Sequence, residues 1–116
     1  MLYLITIFYR IFIKNEGWHF MNKVSKFDER VAKNVTKLRK KYKISVEDIA
    51  EFIYIDASFI RSVECYDKKY NLRHLYLIMA LFKKVDDSVT MDSLLPKCSE
   101  NVIKILQNDT KSKTKA

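Results

Sequence analysis

With 116 residues and 48% apolar side chains, the chain has material for one domain around a single hydrophobic core, and too little for two. A net charge of +8 and a pI near 9.5 favour a polyanionic partner, although 17 Lys against 5 Arg is also the bias of an A+T-rich coding sequence. One Gly and one Pro leave no phosphate-cradling loop, and neither a nucleophile elbow nor a paired-carboxylate constellation is present, so the chain reads as a non-enzyme with no cofactor and no small-molecule site.

The segment M-L-Y-L-I-T-I-F-Y-R-I-F-I-K is apolar but broken by Arg10 and closed by Lys14. It is too short to span a bilayer and lacks the basic start and small-residue cleavage site of a signal peptide. Residues 1–20 are expected to come from an over-extended reading frame, with Met21 the natural start: Glu16-Gly17 must be encoded by GAA or GAG followed by GGN, which resembles a ribosome-binding sequence, and three codons separate it from the Met21 codon. An amphipathic helix docked on the core or on a membrane surface is the other reading.

Residues 21–27 read as a polar arm. Apolar residues at Val31, Val35, Leu38 and Tyr42, with lysines between them, predict a first helix over 28–42. Ser45 is an N-cap with Asp48 at the capping-box position, and Ile49, Ala50 and Ile53 form one face of a second helix over 46–53. Asp56 caps a third over 57–64, whose inner face is Phe59, Ile60 and Val63 and whose outer face is Ala57, Ser58, Arg61 and Ser62. Asn71 caps a fourth over 72–82, burying Leu72, Leu75, Ile78, Met79 and Phe82. Thr90 opens a short fifth helix over 90–95, after a connection at 83–89 whose path is open. After Pro96, Ser99 and Glu100 can start a last helix within 96–107, whose apolar Val102, Ile103, Ile105 and Leu106 need a partner: helix 1 or a second copy of the chain. Residues 108–116 read as a disordered basic tail.

Cys65 and Cys98 stand alone, pointing to a reducing cytoplasm and no disulfide. His74 has no companion at ligand spacing and reads as a surface or half-buried helix residue, not as a metal ligand.

In order and spacing, residues 28–95 resemble the Cro and lambda-repressor-like helix-turn-helix family, the XRE family. The resemblance is carried by Leu38-Arg39-Lys40 at the end of helix 1, Ile49-Ala50-Glu51 in helix 2, and Phe59-Ile60 with Val63-Glu64 in helix 3. It implies an all-α, compact five-helix domain whose helices 2 and 3 form the helix-turn-helix, here followed by a C-terminal helix. It also implies an ion pair between Arg39 and Glu64 that ties helix 3 to helix 1. Three positions depart from the family pattern: Tyr54 and Tyr66 stand where glycine is usual, and Val46 replaces a glutamine that holds a phosphate.

The resemblance implies a sequence-specific transcriptional regulator, of repressor type, that binds double-stranded DNA as a homodimer in the cytoplasm of a bacterial, phage or mobile-element host. Ala57, Ser58, Arg61 and Ser62 would then face bases, Arg61 alone being able to grip guanine with two hydrogen bonds. Lys43, Lys68, Lys69 and the backbone amides around Val46 would hold phosphates. A second reading keeps the fold and gives up base reading: Val46, Tyr54 and Tyr66 would suit a protein-interaction module of antitoxin or anti-repressor type.

Overall fold

The computed structural model describes residues 24–115, and over these the chain consists of six helices with no strand among them. The expectations for residues 1–20, and for the arm as far as residue 23, lie outside the described residues.

Helix α1, Lys26–Lys41, begins two residues earlier than the apolar stripe alone predicts. Ser25 is the cause. Its Oγ accepts the Asp28 amide at 3.1 Å and donates to the Asp28 carboxylate at 2.9 Å, so Lys26 and Phe27 belong to the helix and not to an arm. Asp28 and Glu29 occupy the first turn and Arg39, Lys40 and Lys41 the last, each sign at the end of the helix dipole that favours it.

Helices α2, Val46–Ile53, and α3, Ala57–Glu64, start and stop where the sequence predicts, joined by the three residues Tyr54, Ile55 and Asp56. Ser45 and Asp48 form the expected capping box on α2. Asp56 occupies the N-cap position of α3 but makes no capping hydrogen bond with its side chain.

Helices α1, α2 and α3 end in the same way. Lys43, Tyr54 and Tyr66 lie in the left-handed region, with φ of 57°, 59° and 64°. The amide after each reaches back five residues: Ile44 to the Arg39 carbonyl, Ile55 to that of Ala50, and Asp67 to that of Ser62. This is the Schellman termination, which glycine normally supplies because a β-carbon is strained there.

Helix α4, Leu72–Lys83, presents Leu75, Ile78, Met79 and Phe82 to the core. Leu72, expected among them, is instead 74% exposed. The connection after α4 is pinned: the Tyr42 hydroxyl donates to Asp86 Oδ2 at 3.0 Å, Asp86 Oδ1 accepts the Ser88 amide, and Val89 is buried. Helix α5, Met91–Leu94, is a single turn whose Leu94 is wholly buried.

Helix α6, Glu100–Lys115, starts where Ser99 and Glu100 predict and runs beyond its expected end. Pro96 holds the chain out of helix until Ser99, whose Oγ accepts the Val102 amide at 3.3 Å. At its far end the helix continues through 108–115, where a disordered tail was expected. Thr110 Oγ1 there donates to the Leu106 carbonyl at 3.0 Å.

One core joins α1 through α5. Ile49, Ile60, Ile78, Phe82 and Leu94 have essentially no exposed surface, each contributing about 1.5 to 3 kcal/mol by removal from water. Helix α2 packs on α3 and α4, while α1 packs on α3, α5 and α6. Of the α6 side chains, Val102 is buried on the α1 side, and Ile103 and Leu106 stay exposed. No helix among the described residues is long and apolar enough to cross a membrane.

Candidate functional site

Helix α3 is held by its inner face and by one ion pair. Ile60 and Val63 are fully buried. Arg39 Nε donates to Glu64 Oε2 at 2.7 Å and Arg39 Nη2 to Oε1 at 3.2 Å, a two-pronged contact in which the side chains are only 14% and 17% exposed. Arg39 Nη1 also donates to the Ile44 carbonyl at 3.0 Å, so the same guanidinium fixes both the end of α3 and the loop that leads into α2. Tyr70 packs beside this pair with its hydroxyl buried, and burial, reinforced by the charge of Glu64, pushes its pKa above the ordinary 10.0.

The surface that α3 leaves outward consists of Ser58 and Arg61, both exposed, with Ser62 half-buried beside them. Ala57, expected to face outward, is half-buried and packs against the core, because the first turn of α3 leans on it. Arg61 is not free. Its Nη2 pairs with Glu47 Oε2 from the first turn of α2, and both side chains remain more than half exposed. The Glu47 carboxyl is held below its ordinary range by its own backbone amide and then by Arg61.

The residues expected to hold phosphates fall into two groups. Lys43 and Val46 flank Ser45 at the start of α2; Lys43 is exposed, and Val46 is half-buried with its side chain against the core, leaving only its backbone for a ligand. Lys68 and Lys69 follow α3. Lys68 Nζ sits 5.6 Å from the centre of the Phe59 ring and borders the same open depression as Ser58, while Lys69 Nζ lies 3.9 Å from Asp28 Oδ2 on α1.

Charge is segregated by element. Residues 46–64 carry Glu47, Asp48, Glu51, Asp56 and Glu64 against Arg61 alone, whereas α1 carries seven cations against Asp28 and Glu29. The signal that would have revealed this from sequence is charge counted per helix; the whole-chain excess of +8 hides it. A second unforeseen feature is His74, whose Nδ1 accepts the Asn71 amide at 3.3 Å while Asn71 Oδ1 accepts the His74 amide at 2.7 Å. It stands where a capping box normally has Glu or Gln, so the sequence pattern does not flag it.

Among the described residues no group of three or more His, Cys, Asp or Glu side chains is placed to hold a metal ion. No family model matches the chain, and no curated protein or solved structure matches it.

Proposed function

We propose that the protein is a DNA-binding transcriptional regulator of the Cro and lambda-repressor-like type, acting as a homodimer with α3 in the major groove. The observation that carries this reading is how α3 is mounted: two eight-residue helices around a three-residue turn, with Arg39 and Glu64 locking α3 so that Ser58 and Arg61 project from a rigid support. An α-helix held in that way fits a major groove, and an arginine on its outer face suits guanine. The Glu47 contact does not oppose this, since a pair this exposed exchanges readily with another acceptor.

The test separates base contacts from phosphate contacts. In anisotropy titrations of a duplex from the gene's own upstream region and a random duplex, Arg61→Ala should cost about 1 to 3 kcal/mol on the true site and nothing on random sequence. Lys68→Ala or Lys69→Ala should weaken both alike and flatten the salt dependence by about one unit.

One observation favours a second reading. The acidic surface around Arg61, with Tyr54 93% exposed at its edge, suits a protein partner better than a phosphate backbone. If no upstream duplex outcompetes random sequence and Arg61→Ala has no effect, the chain acts as a protein-interaction module on the same scaffold.

A further inference from the structure

Four of the seven cations of α1 line a cleft. It has a volume of about 870 Å³ and lies between α1 on one side and α5, the 95–99 connection and the start of α6 on the other. Leu38, Leu95, Pro96 and Val102 make its apolar part. Arg30, Lys33, Lys37 and Lys41 follow one another along α1 at steps of three or four residues, a single line on the helix, and Lys97 stands on the opposite wall. Asp92 is the one carboxylate in the lining. From residue 30 to residue 41 the line runs roughly 16 Å, about three helical turns. Leu106, one turn beyond Val102 on α6, is exposed and prolongs the apolar strip.

We infer that this cleft is the docking site for an acidic amphipathic helix of a partner protein. The apolar stripe of such a helix covers Leu38, Leu95, Pro96 and Val102, while its flanking carboxylates meet Lys37 and Lys41 on one wall and Lys97 on the other. A nucleic-acid backbone satisfies only half of this arrangement. It pairs with the lysines but leaves the apolar floor uncovered, and no aromatic ring lines the cleft for a base to stack on. A second copy of the chain is a poorer occupant as well. Its row of exposed carboxylates, Glu47, Asp48 and Glu51, sits on α2, whose apolar residues Ile49, Ala50 and Ile53 are already spent in the core. The cleft lies apart from the outer face of α3, so the inference stands whether or not α3 reads DNA.

The probe is a fluorescein-labelled synthetic helix of about 18 residues with Leu at i, i+3, i+4 and i+7 repeats and Glu elsewhere. A scrambled peptide of the same composition and a random duplex of about 20 base pairs accompany it. By anisotropy on the full chain, the helical peptide should bind saturably and weaken as salt rises. It should lose at least about tenfold in affinity in Lys37→Glu/Lys97→Glu, and the scrambled peptide should bind at least about tenfold more weakly than the helical one. Both lysines are exposed and without ion-pair partners among the described residues, so the urea midpoint should not move. If it does, Lys37→Gln/Lys97→Gln repeats the measurement without reversed charge. Methyl signals of Leu38, Leu95 and Val102, but not of Ile60, should shift with the peptide. Equal binding by the scrambled peptide, equal binding to the variants, or no saturation below ~1 mM peptide overturns the inference. Two other results also overturn it: the random duplex binding more tightly than the peptide with the same lysine dependence, which makes the cleft a nucleic-acid site, or self-association abolished by the same substitutions, which assigns it to a second copy.

Discussion

At Tyr54 and Tyr66 the same backbone problem meets opposite surroundings. Both residues are left-handed, which costs a β-carbon about 1 to 2 kcal/mol. Tyr54 is 93% exposed and recovers little by packing, whereas Tyr66 is half-buried against the core with Lys33 Nζ 5.7 Å from its ring centre. Tyr54→Gly should therefore leave stability unchanged or raise it by up to about 1 kcal/mol, the relief of strain being offset in part by a freer unfolded chain. Tyr66→Gly should instead destabilise by about 1 to 3 kcal/mol, through lost packing. Urea midpoints of the two variants check this; a loss at residue 54 as large as that at residue 66 would show that the Tyr54 ring is held.

At the scale of the element, α3 and α4 each depend on one polar device. For α3 it is the Arg39 to Glu64 pair, and Glu64→Ala should cost about 2 to 4 kcal/mol because it strands a shielded guanidinium. In a double-mutant cycle with Arg39→Met, the second substitution should cost much less than the first; additive losses would mean that the two residues act independently. For α4 the device is the Asn71 and His74 capping box, and it titrates. Partial burial, and then the neighbouring Arg73, lower the His74 pKa below its ordinary 6.5, so the unfolded chain takes up the proton first. Stability from this group is thus complete above about pH 6.5 and declines as pH falls below it, and protonation of Nδ1 also removes the acceptor for the Asn71 amide. Comparing wild type with His74→Gln at pH 7.5 and 5.5, the wild type should lose more of its urea midpoint on acidification. Equal losses would remove His74 as the source.

At the scale of the whole molecule, α6 is the weakly attached part. Five helices share one core, but α6 meets it through α1, with Val102 as its one buried side chain among those described. Ending the chain at Cys98 should leave a cooperatively melting domain that is less stable by about 1 to 3 kcal/mol, the range for exposing one buried aliphatic residue and its neighbours. Loss of cooperative melting on that truncation would show that α6 is integral to the core. The same truncation takes Ser99 and Val102 out of the lining of the basic cleft, so peptide binding should weaken even though the fold persists.

The bounds of α2 and α3 were legible from residues alone, because each is marked locally: a Ser or Asp at the N-cap position, a period of 3.6, and a turn of fixed length. Local chemistry also predicted the core of α4, but it erred at Leu72, where only neighbouring helices decide what is covered. The stripe of α1 was legible and its first residue was not, since the Ser25 and Asp28 cap precedes the apolar repeat. In the candidate site, the sequence indicated that Ser58 and Arg61 face outward. It gave no sign that Ala57 leans on the core, or that Glu47 holds Arg61 across fourteen residues of chain. Arg39 and Glu64 were coupled through a family resemblance and not through spacing, for a contact between residues 25 apart depends on how helices pack. The cleft had no sequence signature at all: its lysines are separate charges along the chain, and it exists only because α5 and α6 fold back across α1. Periodicity and caps determine which helices form in this protein, whereas its clefts and its long-range ion pairs arise only when those helices are brought together.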